Sequence, residues 1–533
     1  MNLRSTLANA AWLATGLPAR RRFIRALEEP AAAQWRVLRT QLARNAASAY
    51  GRNHGFAEIR SPEDFARRVP VVGYEELEPW IERIRRGESS VLTSGPVTRL
   101  IPTSGSSGAR KLIPFTASVQ REFNAAISPW MADLVRQHPT VPLGPAYWSV
   151  TPMAQVDVEK GSAVPIGFDD DRRYLGGTRA WLVESLMAVP SAVRHITDLT
   201  AFRHAVLLCL LRHADLRLVS VWHPSFFALL LDALPTHWDA LLRDLSEGTF
   251  RYADRVPGNV LAALHLRPRP RWVDRLKRCA PEHPETLWPN LRVVSCWADG
   301  HAGGAANALG RRLPQAMIQS KGLLATEAFV TIPYEGAHPL ALCSHYFEFA
   351  DDAGGIHPAQ ALRSGVTYGV IVTTGGGLWR YRLGDQVEVT GFVGRTPSLR
   401  FLGRAGGVSD RCGEKLSEAF VIRAIEGAFA PTPVPAFAML APEEGADGWH
   451  YVLYVDVPTP VDLGPRLDTA LRANPHYALC RDLGQLGPIR TFRIGSGAYE
   501  TFATAEMARG LRLGDLKPAA LSAETGWSKR FTG

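Results

Sequence analysis

Lysine is scarce in this chain: of 60 basic residues among 533, seven are lysine and the rest arginine. Like-signed blocks are scarce too. The arginines are spread among Asp and Glu, and clusters such as Arg20–Arg22 or Arg83-Ile84-Arg85-Arg86 are short and helically spaced. A formal charge of +9 without a basic stripe or an aromatic–basic motif therefore reads as solvated faces, and no nucleic-acid partner is expected. No apolar run approaches the roughly 20 residues that cross a bilayer. The apolar stretch at 7–17 is broken by Asn9 and Gly16, and its main charge, Arg20–Arg22, follows it. A secretory leader has the opposite order. The stretch is expected to be an amphipathic helix packed on the body, with no stable membrane association. The six cysteines show neither paired nor metal-ligand spacing, which fits reduced thiols in a cytoplasmic protein and argues against a zinc site. Internal repeats and low-complexity segments are missing as well.

What is present alternates. Residues 30–95 read as helices broken by Pro and Gly, with Ser61 capping and Pro62 opening one of them. Strand-like runs at 147–151, 216–221, 291–295 and 315–318 then alternate with helical stretches such as 200–212 and 226–233. That rhythm predicts an α/β fold with a largely parallel sheet. From Cys343 the pattern changes to short strands between Gly-rich turns, at 345–349, 368–373, 379–382, 386–393 and 399–402. A smaller, mainly antiparallel β subdomain is expected there. Beyond it, a helix at 416–428, a Pro-rich break at 430–435, a strand at 449–457 and a helix at 465–474 suggest a small α+β C-terminal domain. The expected division is 1–404 and 405–533.

Four segments could carry chemistry. In Thr103-Ser104-Gly105-Ser106-Ser107-Gly108-Ala109-Arg110-Lys111, glycines let backbone N–H groups approach an anion, hydroxyls add donors and two cations offset its charge. The kinase-type P-loop spacing is not met, and a plain Ser/Gly loop has the same composition. In Lys321-Gly322-Leu323-Leu324-Ala325-Thr326-Glu327, a hydroxyl beside a carboxylate could meet a phosphate and a divalent ion; such pairs are also common on surfaces. In Trp379-Arg380-Tyr381-Arg382-Leu383-Gly384-Asp385, the carboxylate is suited to two ribose hydroxyls, or simply to holding a turn. In Gly403-Arg404-Ala405-Gly406-Gly407, an arginine enters a Gly-rich passage that could be a hinge or an ordinary loop. Trp148, Trp222, Trp297 and His301 fall on or after strand-like runs, where core packing and ligand contact are both open.

The order of these segments resembles that of the adenylate-forming superfamily of acyl-CoA synthetases, peptide-synthetase adenylation domains and luciferases. Within it, the strings T-S-G-S-S-G-x-R-K-L-I-P and W-R-Y-R-L-G-D resemble the Gretchen-Hagen-type acyl acid–amido synthetases. So do the flanking Tyr50–Phe56, Leu287–Asn290 and Tyr346–Phe349 segments, as well as Phe168-Asp169-Asp170 with Tyr174-Leu175. The aliphatic Leu323 and Leu324 depart from a position often aromatic in that family, and Asp410–Leu416 is closer to bacterial members, so plant-hormone substrates do not follow.

The resemblance implies ATP and Mg²⁺ as cofactors, and a small carboxylic acid and an amino acid as substrates. Its large N-terminal adenylation domain would hold the ATP and acyl sites, joined by a hinge to a mobile C-terminal domain. The resemblance places Ser104, Gly105, Ser106, Ser107, Gly108 and Lys111 on the phosphates, Thr326 on the α-phosphate and Glu327 on Mg²⁺. Asp385 falls to the ribose, Arg404 to the nucleotide beside the hinge, and Lys517 to the lysine supplied by the C-terminal domain. Two alternatives remain open here: transfer to a thiol of coenzyme A or a carrier protein, and a non-catalytic nucleotide-binding protein on the same scaffold.

Overall fold

The computed structural model describes residues 3–103, 111–149, 162–167, 184, 186–404, 408–445, 448–458, 462–495, 497–508, 516 and 518–532. Its amino-terminal third is helical. Helix α1 (Leu3–Glu28) buries Trp12 and Phe23 while Leu7 and Leu17 remain exposed. Its Asn9 donates to the Pro142 carbonyl at 3.0 Å, so the helix lies on the body as the amphipathic pattern predicts. Helices α2 (Pro30–Asn45), α3 (Ala49–Asn53), α4 (Pro62–Arg68) and α5 (Tyr74–Arg85) follow. Ser61 Oγ accepts the Asp64 amide at 3.1 Å and caps α4, a bond worth about 1 kcal/mol.

Strands β1 (Val97–Thr103) and β2 (Lys111–Thr116) form an antiparallel hairpin with Thr103 opposite Lys111. Thr116 then caps α6 (Ala117–Gln137), its Oγ1 accepting the amides of Ser118 and Val119. The sequence reading did not anticipate α6, which carries a proline at 129 and buries the polar Glu122 and Asp133 on its inner face.

The four strand-like runs become one parallel sheet in the order β3 (Ala146–Trp148), β4 (Leu218–Ser220), β5 (Val293–Cys296) and β6 (Met317–Ser320). In-register residues share a face. Tyr147, Val219 and Val294 join a core built with α7 (Leu199–Leu211) and α8 (Pro224–Glu247). Leu218 and Val293 pack on the other side with Trp12, Phe123 and Trp130 of α1 and α6. Each fully buried Leu or Phe in these layers contributes about 1.5–3 kcal/mol.

Beyond α9 (Gly303–Arg312) comes the antiparallel sheet: β7 (Tyr346–Ala350), β8 (Ile356–Pro358), β9 (Thr367–Thr373), β10 (Tyr381–Val393) and β11 (Thr396–Arg404), ordered β11-β10-β9-β7-β8. The two strands expected at 379–382 and 386–393 are one strand here. Arg382 pairs with Ile371 and Gln386 with Gly369, so three residues of β10 oppose one of β9. Gly384, at φ +83°, absorbs that bulge.

The rest is α+β. Strands β12 (Val408–Ser409) and β13 (Leu416–Ser417) pair ahead of α10 (Glu418–Phe429). Strands β14 (Ala438–Gly445), β15 (Gly448–Asp456) and β16 (Arg490–Ile494) form a three-stranded sheet. Helices α11 (Gly464–Leu471), α12 (Pro475–Asp482), α13 (Ala498–Ala508) and α14 (Trp527–Thr532) complete the described chain. Among the described residues, no helix is long and apolar enough to cross a membrane.

Candidate active site

The β1–β2 hairpin places the Ser/Gly segment at its tip, between Thr103 and Lys111. Ser104, Gly105, Ser106, Ser107 and Gly108 themselves lie outside the described residues. Lys111 opens β2 with its Nζ 5.7 Å from the Tyr74 ring centroid. The Tyr74 hydroxyl accepts the Leu112 amide at 2.8 Å and fixes the strand's start. The far end of β2 is tied to the turn before β10, where Thr116 Oγ1 donates to the Gly375 carbonyl at 2.8 Å.

After β6 the chain turns sharply at Gly322, φ +70°, where a Cβ would lie 2.4 Å from Thr331 Oγ1. Leu323 donates its amide to that same hydroxyl. Leu324 then bridges Phe329, and the Ala325 amide bonds the Ala328 carbonyl at 3.0 Å. Thr326 and Glu327 form the tip of this tight turn, Thr326 half-buried and Glu327 buried.

Asp385 sits on the β10 bulge, 2% exposed, and its cross-strand partner in β11 is Arg404. Two residues distant in the sequence motifs are therefore neighbours in the sheet. The Arg404 side chain and residues 405–407, which follow β11, lie outside the described residues, as do the His301 side chain and Lys517. Leu516, the residue before Lys517, is buried in the core of the parallel sheet with Tyr147 and Val219.

One apolar cluster joins these pieces. Ile113 of β2, Leu323 and Ala328 around the Thr-Glu turn, and Trp379, Tyr381 and Leu383 leading to Asp385 all belong to it, with Phe401 of β11 packed against it. The ends of the parallel sheet reach the same region. His338 Nε2 is 3.1 Å from the Ser320 carbonyl, its amide bonds Ser398 Oγ on β11, and Gly300 lies against Leu402. Asp299, beside Ser320, is held above the usual carboxylate range by burial, with His338 and Arg400 pulling the other way.

Several conspicuous residues prove to be structural. Arg380, φ +47°, makes a two-toothed pair with Glu348 at 2.8 and 2.9 Å and donates to the carbonyls of Ala66 and Val69. Burial holds the Glu348 carboxyl above its usual range even beside that guanidinium. Trp379 is fully buried, stacks on Tyr50, packs edge-on to Phe56 and donates to the Leu92 carbonyl at 3.0 Å. The Tyr50–Phe56 segment and the Trp-Arg-Tyr-Arg segment are thus two halves of one packing unit.

Among the described residues, no group of three or more His, Cys, Asp or Glu is arranged to hold a metal ion. A magnesium ion carried largely by substrate phosphates needs only one or two carboxylates, which a single Glu327 can supply. The residue that the motifs left without a role is Lys321. It is buried at the end of β6, with Nζ 2.7 Å from Ser220 Oγ.

Profiles of the GH3 family N-terminal, central and C-terminal domains match residues 19–311, 338–404 and 419–525. Indole-3-acetic acid-amido synthetase GH3.2 of Arabidopsis thaliana is 26% identical over 85% of this chain and 88% of its own length. The probable indole-3-acetic acid-amido synthetase GH3.2 of Oryza sativa subsp. japonica is 25% identical, over 91% of this chain and 87% of its own. A solved GH3.15 acyl acid amido synthetase superposes with a TM-score of 0.82 at 21% identity, covering 96% of this chain and 94% of that one. The likeness in structure establishes a shared fold.

Proposed function

The chain belongs to the GH3 family, and on that premise we propose that it joins a carboxylic acid to the amine of an amino acid, with ATP as the activating substrate. In the first half-reaction the acid's carboxylate oxygen attacks the α-phosphorus of ATP. The bond to the β-phosphate breaks and pyrophosphate leaves, giving the acyl-adenylate. In the second, the amine attacks the acyl carbon, the bond to AMP breaks, and the amine's proton departs as the amide forms.

The first step is governed by positioning and charge neutralisation. Ser104, Gly105, Ser106, Ser107 and Gly108, with Lys111, hold the phosphates. Thr326 bonds the α-phosphate, Asp385 accepts from the ribose hydroxyls, and Arg404 meets the nucleotide beside the hinge. A magnesium ion would be held by Glu327 and would offset phosphate charge. Lys517 is the lysine brought by residues 405–533 to the site on 1–404.

The observation that carries this reading is the single apolar cluster supporting the residues next to all four motifs. Amido synthetases among the relatives favour the amine acceptor. The experiment is AMP and amide formation from ATP over a panel of aryl and alkyl acids, with and without amino acids. Acid-dependent AMP release that accelerates with an amino acid, with an amide of matching mass, is expected. Acceleration by coenzyme A and not by any amino acid would replace the amide with a thioester. ATP binding with no acid-dependent turnover would leave a nucleotide-binding scaffold.

A further inference from the structure

Lys321 stands where ligands gather in an α/β fold, one residue past the C-terminal end of a parallel strand. It is 4% exposed. Its ammonium lies 5.1 Å from the Trp130 ring and 5.7 Å from the Trp222 ring, and it donates to Ser220 Oγ at 2.7 Å. Among the described residues it makes no ion pair, although an ammonium has three protons to donate. Two indole faces and one hydroxyl return only part of the lost hydration. Burial accordingly lowers the Lys321 pKa to about 7.

The floor beneath it is polar. Trp148, Ser220, Ser295 and Gln319 lie in register across the four parallel strands and so share one face. Gln319 Oε1 accepts from Trp130 Nε1 at 3.0 Å, and Ser295 Oγ is buried with no partner. Trp297 adds a further wall, its ring 5.5 Å from that of Trp222. A buried cation with protons to give, a spare hydroxyl and aromatic walls form a subsite for an anionic group on a mainly apolar molecule.

Resting on the ligase reading above, we infer that Lys321 binds a carboxylate other than the one that is activated. That carboxylate is either a second one at the far end of the acyl chain or the α-carboxylate of the incoming amino acid. The two sources share one chemistry and separate by half-reaction, because ATP–pyrophosphate exchange needs the acid alone.

The test compares the intact enzyme with Lys321→Met. Exchange is measured with monocarboxylic and dicarboxylic acids of matched length. Amide formation is measured with an amino acid and with its decarboxylated amine. If the carboxylate is on the acid, the intact enzyme prefers the diacid and Lys321→Met lowers that preference roughly tenfold or more. If it is on the acceptor, the preference for amino acid over amine falls instead, through KM for the amino acid.

Binding of the diacid and monoacid to the intact protein by calorimetry, with no turnover required, keeps the subsite testable should the ligase reading fail. It also serves should the variant not fold. An intact enzyme that prefers neither the diacid nor the amino acid over its uncharged counterpart would overturn the inference. So would a folded Lys321→Met that retains both preferences.

Discussion

Two buried cations in this molecule are treated in opposite ways. Arg380, in the antiparallel half, is met by both oxygens of Glu348 and by two backbone carbonyls, with the side chains of the pair 5% and 7% exposed. Lys321, at the end of the parallel sheet, is met by one serine hydroxyl and two indole rings. The first arrangement is closed: the planar guanidinium fork is matched by protein acceptors, and the charge ties the residue before β10 to β7 and to the C-terminal end of α4 at Ala66–Val69. The second is open, with donors unused. A charge fully answered by the protein serves the fold, and a charge left half-answered is available to a ligand.

The sharpest way to break this contrast lies on β10, where Asp385 follows Arg380, the residue just before the strand, by five positions. If fold and chemistry are separable over these few residues, Asp385→Ala removes acid-dependent exchange by about 1000-fold or more while circular dichroism and the unfolding midpoint change little. A large loss of stability would instead put Asp385 with Arg380.

Next in size is Glu348→Gln, which leaves the Arg380 charge buried without its counter-ion. It is expected to destabilise by about 3–5 kcal/mol in denaturant titration, and a neutral result would deny the pair its structural role.

Lys321→Met should act with the opposite sign. The pKa of Lys321 is lowered to about 7 in the fold, so below pH 7 both states hold the proton and the folded state bears the whole desolvation penalty. Above pH 7 the unfolded chain binds the extra proton and the parent gains relative stability. The variant's advantage over the parent should therefore be greatest below pH 7, up to roughly 5 kcal/mol, and shrink towards pH 10. Paired unfolding curves across that range check the sign. The smallest effect is Ser61→Ala, about 1 kcal/mol from the lost α4 cap, read in the same titration and expected to leave exchange untouched.

The sequence makes one side of this contrast far more legible than the other. The four parallel strands are readable because short apolar runs lie between turn residues and helical stretches, and they emerge in one sheet in chain order. The antiparallel strands are readable from their Gly-rich turns, except that the short edge strand β8 is missed and the β10 bulge at Gly384 resembles a break between two strands. Helix α6 is concealed by Pro129 and by buried polar residues such as Glu122, which accepts the Gly375 amide across 253 positions. The roles of the two cations depend on equally distant partners: Glu348 is 32 residues from Arg380, and Ser220 is 101 from Lys321. No local pattern carries such pairings. The scarcity of lysine and the place of Lys321 at the head of the Thr-Glu segment are the signals in the sequence pointing to position 321.

The central claim is that this chain activates a carboxylic acid through its adenylate, and isotope exchange between labelled pyrophosphate and ATP, without any amino acid, tests it most directly. The account predicts that label enters ATP only when a suitable acid is present, and that Asp385→Ala abolishes it in a folded protein. Label entering ATP without acid, or full exchange by Asp385→Ala, would contradict it.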